Sequence, residues 1–123
     1  MEFTHKELVE KIIAWAEEKK AEEIVHIDVA GKSSYTDSLI ICHGKVDIHV
    51  KAIAEFLIDK IKEHKIHLMS TEGLDNGRWV LIDLGEVIVH VFLKPVRDYY
   101  DLEDLWKITP KRMKEMEANH VER

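Results

Sequence analysis

The apolar and polar positions of this chain change period several times, and each change marks an element. Thr4 and Glu7 stand at capping-box spacing, in which each side chain satisfies a free amide at a helix start. Leu8, Ile12, Trp15 and Ala16 then recur at helical spacing with charges opposite, which predicts a first helix running to about Lys20. Over residues 24–29 the period drops to two. Val25, Ile27 and Val29 share one face, while Ile24, His26 and Asp28 make a more polar one, so a strand is expected. A polar, turn-prone stretch over residues 31–37 leads to a second, apolar strand at residues 38–43.

The strongest periodicity follows. Val46, Val50, Ile53, Ala54, Leu57, Ile58 and Ile61 keep one apolar stripe, with Asp47 suited to the positive end of the helix dipole. Residues 66–70 give a short third strand before the turn Asp75-Asn76-Gly77. Residues 78–84 and 86–93 flank Gly85 as the arms of a β-hairpin. The second arm is apolar on both faces, as in a central strand. Pro95 is expected to stop it, and Leu102, Leu105 and Trp106 to pack a short helix over residues 98–106. The order predicts the α/β class: a single domain over residues 1–106, built on a mixed, roughly five-stranded sheet packed with helices. Residues 107–123 are expected as a charged tail, helical or disordered, with Met113 and Met116 its large apolar pair.

Composition narrows the function classes. The chain of 123 residues is 46% hydrophobic and 34% charged, a balance that supports one packed core and excludes a disordered scaffold. Lysine plus arginine number 18 against 24 acids, for a net charge of −6. Grip on a phosphate backbone comes from cationic side chains, so direct sequence-specific nucleic-acid binding is not expected, and a basic protein partner fits better. The single cysteine, Cys42, lies in an apolar run; it excludes an internal disulfide and is expected as a buried thiol. The first residues lack a signal-peptide layout, and no apolar stretch approaches the roughly 18 residues of a span. A cytoplasmic chain with no membrane contact is expected.

Candidate chemistry is thin. The eight histidines do not cluster at metal-ligand spacing, so no metal is expected. Gly31-Lys32-Ser33-Ser34 lacks the upstream glycine of a phosphate loop. Ser33, Ser34, Ser38 and Ser70 lack a nucleophile-elbow context, and the sequence assigns none a histidine or carboxylate partner. Gly31 and Ser33, followed by Asp37, echo the glycine-serine turn and strand-borne acid of nucleotidyltransferases. That chemistry needs two adjacent carboxylates for divalent ions, and Asp37 is followed by Ser38, Leu39 and Ile40. Only Asp83, on another strand, offers a second acid. No catalytic residue and no cofactor are expected. Attention passes to Trp79, which alternates with Leu81 and Asp83 onto one strand face and is either core or the centre of a binding surface.

At this point the residues match a family. Gly73-Leu74, Gly77-Arg78-Trp79-Val80-Leu81-Ile82-Asp83, Gly85-Glu86-Val87-Ile88-Val89-His90-Val91-Phe92 and Tyr100-Asp101-Leu102-Glu103 with Leu105-Trp106 resemble the ribosomal silencing factor (Iojap) family. Ser33-Ser34-Tyr35-Thr36-Asp37 and Val50-Lys51-Ala52-Ile53-Ala54 extend the likeness, which runs collinearly from about Leu8 to Trp106. The resemblance implies a nucleotidyltransferase-like fold without the catalytic acids. It implies binding to the large ribosomal subunit through ribosomal protein fourteen, with obstruction of subunit joining when nutrients are scarce, and a homodimer off the ribosome. By position in the motif, Trp79 becomes the apolar anchor, Asp83 and Glu86 partners for basic residues, and His90, Tyr100 and Asp101 further interface candidates. A role in assembling the large subunit is the alternative, and a nucleotidyltransferase using Asp37 a weaker one. Where the family places a polar cap before its long helix, this chain has Val46, so Asp47 is expected to substitute.

Overall fold

The computed structural model describes residues 3–105. The first helix, α1 (His5–Glu18), opens on the predicted capping box: Thr4 accepts from the Glu7 amide and the Glu7 carboxylate accepts from the Thr4 amide. Removing that reciprocal pair with Thr4→Ala is expected to cost about 1 kcal/mol, read as a lower urea midpoint at unchanged slope. Strands β1 (Glu22–Asp28) and β2 (Ser38–Gly44) pair antiparallel, and α2 (Asp47–Glu63) follows. Val46 takes the N-cap position with no side-chain hydrogen bond, while the Asp47 carboxylate accepts from the Ile48 amide at 2.8 Å.

After α2 come β3 (Ser70–Glu72), β4 (Trp79–Asp83) and β5 (Val87–Leu93), then α3 (Lys94–Tyr100) and α4 (Leu102–Leu105). The sheet order is β1-β2-β5-β4-β3, with β5 central as its two-faced apolar pattern predicts. Among the described residues only the β2–β5 pair is parallel, so the sheet is mixed. The β4–β5 hairpin sets Trp79 opposite Phe92 and Asp83 opposite Ile88.

Most boundaries fall within two residues of the sequence expectation, and the larger differences lie at the third strand and after β5. The third strand is Ser70–Glu72 rather than residues 66–70, because Ile66 and Leu68 pack against the core as part of the connection. Pro95 does not merely end β5. It sits in the first turn of α3, where its missing amide costs no helical hydrogen bond. The single short helix expected at residues 98–106 is therefore two, divided at Asp101, whose left-handed φ of 48° ends α3. Trp106 and the tail over residues 107–123 lie outside the described residues.

α1 and α2 cover one sheet face. Ile12, Trp15, Ile53, Leu57 and Ile61 meet Ile40, Cys42, Val80, Ile82, Val89 and Val91 there. Cys42 is the buried thiol expected, and burial pushes its pKa up to about 12, which leaves it uncharged and inert. The opposite face carries the alternate residues, and α3 crosses its end over β5 and β2.

Candidate functional site

Alternation along β4 sends Trp79, Leu81 and Asp83 to the face opposite α1 and α2, and all three are half-buried. On β5 the same face carries Ile88, His90 and Phe92. α3 turns back across this end of the sheet and brings Tyr100 to Trp79. The Trp79 ring lies 4.7 Å from Tyr100 and 4.9 Å from Phe92, centroid to centroid, and its Nε1–H donates to His90 Nδ1 at 3.0 Å. The tryptophan is thus both packed and accessible. Beside it runs a groove of about 500 Å³, lined by Arg78, Trp79, Pro95, Val96, Tyr99 and Tyr100. Tyr99 is 82% exposed and Tyr100 51% exposed, an aromatic rim turned outward.

The cluster is held from beneath. Arg97, the buried residue of α3, places Nη1 2.8 Å from His43 Nδ1 and donates through Nε to Glu103 at 2.9 Å. Burial and the adjacent guanidinium both lower the His43 pKa, so its neutral ring accepts from Arg97. These contacts tie α3 and α4 to β2 and fix the position of Tyr100.

His90 is buried among the strand valines, and desolvation lowers its pKa from 6.5 to about 4. The neutral ring is the state that accepts from Trp79. Because the folded value lies below the unfolded one, this histidine contributes stability that is complete above about pH 6.5. It is lost as pH falls toward 4, while the unfolded chain takes up the proton first. The loss is on the order of 3 kcal/mol at most. Urea unfolding across that interval is expected to show a steeper decline for the native chain than for His90→Gln.

The remaining predicted residues do not all converge. Asp83 shares the face of Trp79 but stands four strand residues away, about 13 Å, where its carboxylate accepts from the Gly85 amide at 2.8 Å. Glu86 lies in the hairpin turn, and its Oε1 meets His5 Nδ1 at 2.8 Å, across the molecule's α1 side. Asp101 is exposed and follows Tyr100 at the α3–α4 junction. The structure therefore joins Trp79, His90 and Tyr100, and adds Phe92, Tyr99 and Arg97. Phe92 was within reach of the sequence, since hairpin register pairs it with Trp79. Arg97 was not. Among the described residues, no group of three or more histidine, cysteine, aspartate or glutamate side chains is arranged to hold a metal ion. No described helix is long and apolar enough to cross a membrane.

Fold and groove define a small α/β domain: one mixed sheet, covered by helices on one face and offering an aromatic-rimmed surface on the other. The sequence profile of the family described as "Ribosomal silencing factor during starvation" matches residues 2–123, and the chain belongs to that family. It is 44% identical to ribosomal silencing factor RsfS of Bacillus subtilis over 88% of this chain and 92% of that one. A crystal structure of a Chromobacterium violaceum protein superposes with a TM-score of 0.83 at 36% identity, covering 87% of this chain and 89% of that one. A Bacillus halodurans crystal structure gives 0.76 at 43% identity, covering 83% and 95%. The chain is also 27% identical to a mouse protein named "Mitochondrial assembly of ribosomal large subunit protein 1", over 81% of this chain but 45% of that one.

Proposed function

We propose that this chain binds the large ribosomal subunit through ribosomal protein fourteen and blocks joining of the small subunit, lowering translation when nutrients are scarce. The observation that carries the reading is the half-buried Trp79 packed between buried Phe92 and exposed Tyr100 and opening on a groove rimmed by Tyr99, in a chain of the silencing-factor family. Tryptophan and tyrosine held rigidly at a surface lose little entropy on binding and dominate interface energies. Asp83 and Asp101 offer carboxylates to basic residues of the partner, and Glu86 adds charge at the margin. His90 acts through Trp79, whose indole it orients.

The net charge of −6 steers the chain toward a basic ribosomal protein and away from exposed RNA. The action is steric rather than catalytic and takes place in the cytoplasm, with the chain a homodimer when off the ribosome. Direct binding tests it: ribosomal protein fourteen, immobilised, captures the chain, and capture weakens as salt rises. Absence of capture at low salt contradicts the proposal.

A second reading, assistance in assembling the large subunit through the same contact, is favoured by the name of the mouse relative. Precursor subunits would then accumulate on deletion, while mature subunits join normally in the presence of the chain.

A further inference from the structure

On the α1 side of the sheet, remote from the Trp79 groove, four side chains form a continuous hydrogen-bonded row. Glu86 Oε1 meets His5 Nδ1 at 2.8 Å, His5 Nε2 meets Ser38 Oγ at 2.7 Å, and His26 Nε2 meets the same Oγ at 2.9 Å. The Glu86 carboxylate only accepts, so His5 donates to it through Nδ1. In the neutral tautomer with that hydrogen, Nε2 accepts from the Ser38 hydroxyl, and His26 Nε2 completes the row at the same Oγ. Carboxylate to Nδ1, Nε2 to serine oxygen is the connectivity by which an imidazole is oriented as the general base of a nucleophilic hydroxyl.

A cavity of about 540 Å³ opens beside this row. Ser38, His5 and His26 line it, and its wall mixes apolar residues such as Val9 and Ile13 with charged ones, Asp37 among them. We propose that Glu86, His5 and Ser38 form an acyl-transfer relay, which makes the Ser38 hydroxyl a nucleophile toward small activated esters. This site shares Glu86 with the proposed ribosomal interface and is otherwise separate from it.

Ser38 is 1% exposed, and on the solvent side its Oγ meets the ring of His26, an exposed residue of the edge strand β1. When that ring swings aside, Oγ attacks the ester carbonyl and a carbon–oxygen bond forms. The hydroxyl proton passes to His5 Nε2, and the carbonyl oxygen becomes an oxyanion. The bond to the leaving alcohol then breaks, and the alcohol departs with the proton held by His5. Water repeats the steps against the acyl-serine, releasing the carboxylic acid and restoring the hydroxyl. His5 and Ser38 are the catalytic residues; Glu86 is a positioning residue.

The test is labelling of the full chain with a fluorophosphonate probe, read by intact mass and peptide mapping. Oγ displaces fluoride from phosphorus, and the adduct marks the nucleophile. One phosphonyl group per chain on Ser38 is expected, with none on Ser38→Ala. His5→Gln, which keeps the serine and a polar side chain, is expected to slow labelling by about 100-fold or more. Glu86→Gln slows it less, and Glu86→Asp recovers part of the rate, which a packing role alone does not predict. No adduct on Ser38, or equal rates in the native chain and His5→Gln, overturns the proposal.

Discussion

Trp79→Ala is expected to weaken binding to the large ribosomal subunit by about 2 kcal/mol or more, roughly a thirtyfold rise in Kd. The indole meets three members of the aromatic site: the Tyr100 ring at 4.7 Å, the Phe92 ring at 4.9 Å and the His90 nitrogen at 3.0 Å. Truncation empties the floor of the groove and leaves Tyr100 with Tyr99 as its ring neighbour. Some folding stability goes as well, so Trp79→Phe is the control. Phenylalanine keeps the stacking against Phe92 and Tyr100 and loses only the donated hydrogen bond. It is expected to retain most of the affinity, whereas equal affinity in the alanine variant and the native chain removes Trp79 from the interface. Titration of fluorescently labelled chain with large subunits gives both values.

Gly73→Ala is expected to be the most damaging single-methyl change to the fold. Gly73 holds a φ of +82°, and a β-carbon built there would lie 1.9 Å from the Trp79 carbonyl oxygen. Neither partner can yield cheaply: one is a left-handed backbone that side chains disfavour, the other a strand carbonyl. A loss of about 3 kcal/mol or more is expected, seen as a lower Tm and a lower urea midpoint. Because the clash falls on the first residue of β4, the displacement also moves Trp79. Subunit binding is therefore expected to fall even at temperatures where Gly73→Ala stays folded. Gly31→Ala makes the comparison clean. Its φ of +78° imposes similar backbone strain, but a β-carbon there meets nothing within 4 Å.

What the sequence made legible was local. The Thr4–Glu7 cap, the stripe of α2 and the alternation around Gly85 each rest on neighbours within a few residues, where period and side-chain reach decide the outcome. The same alternation placed Trp79, Leu81 and Asp83 on one face. It did not say which face the helices would take. For β1 the answer sends the more apolar Val25 and Ile27 to the side without α1 and α2, where they pair with Ile41 and Leu39, and turns His26 toward Ser38. Insertion of β5 beside β2 depends on pairing across the whole chain, which periodicity does not encode. The His5–Glu86 contact spans 81 residues, and Arg97–His43 spans 54. No spacing rule reaches that far, so Ser38 had no visible histidine partner and Arg97 no visible role. The acids divided for the same reason. Asp83, Glu86 and Asp101 look alike as motif members, and only the fold separates a strand-face carboxylate, a turn carboxylate held by His5 and a left-handed helix end.

The most direct test of the ribosomal account is sucrose-gradient sedimentation of purified ribosomal subunits, with and without the chain, under conditions that favour joining. Co-migration of the chain with the large subunit, together with a fall in joined ribosomes as the chain is added, is the result predicted. Joined ribosomes at their full level while the chain sits on the large subunit contradict steric blocking and leave the assembly reading. A chain that stays at the top of the gradient contradicts both.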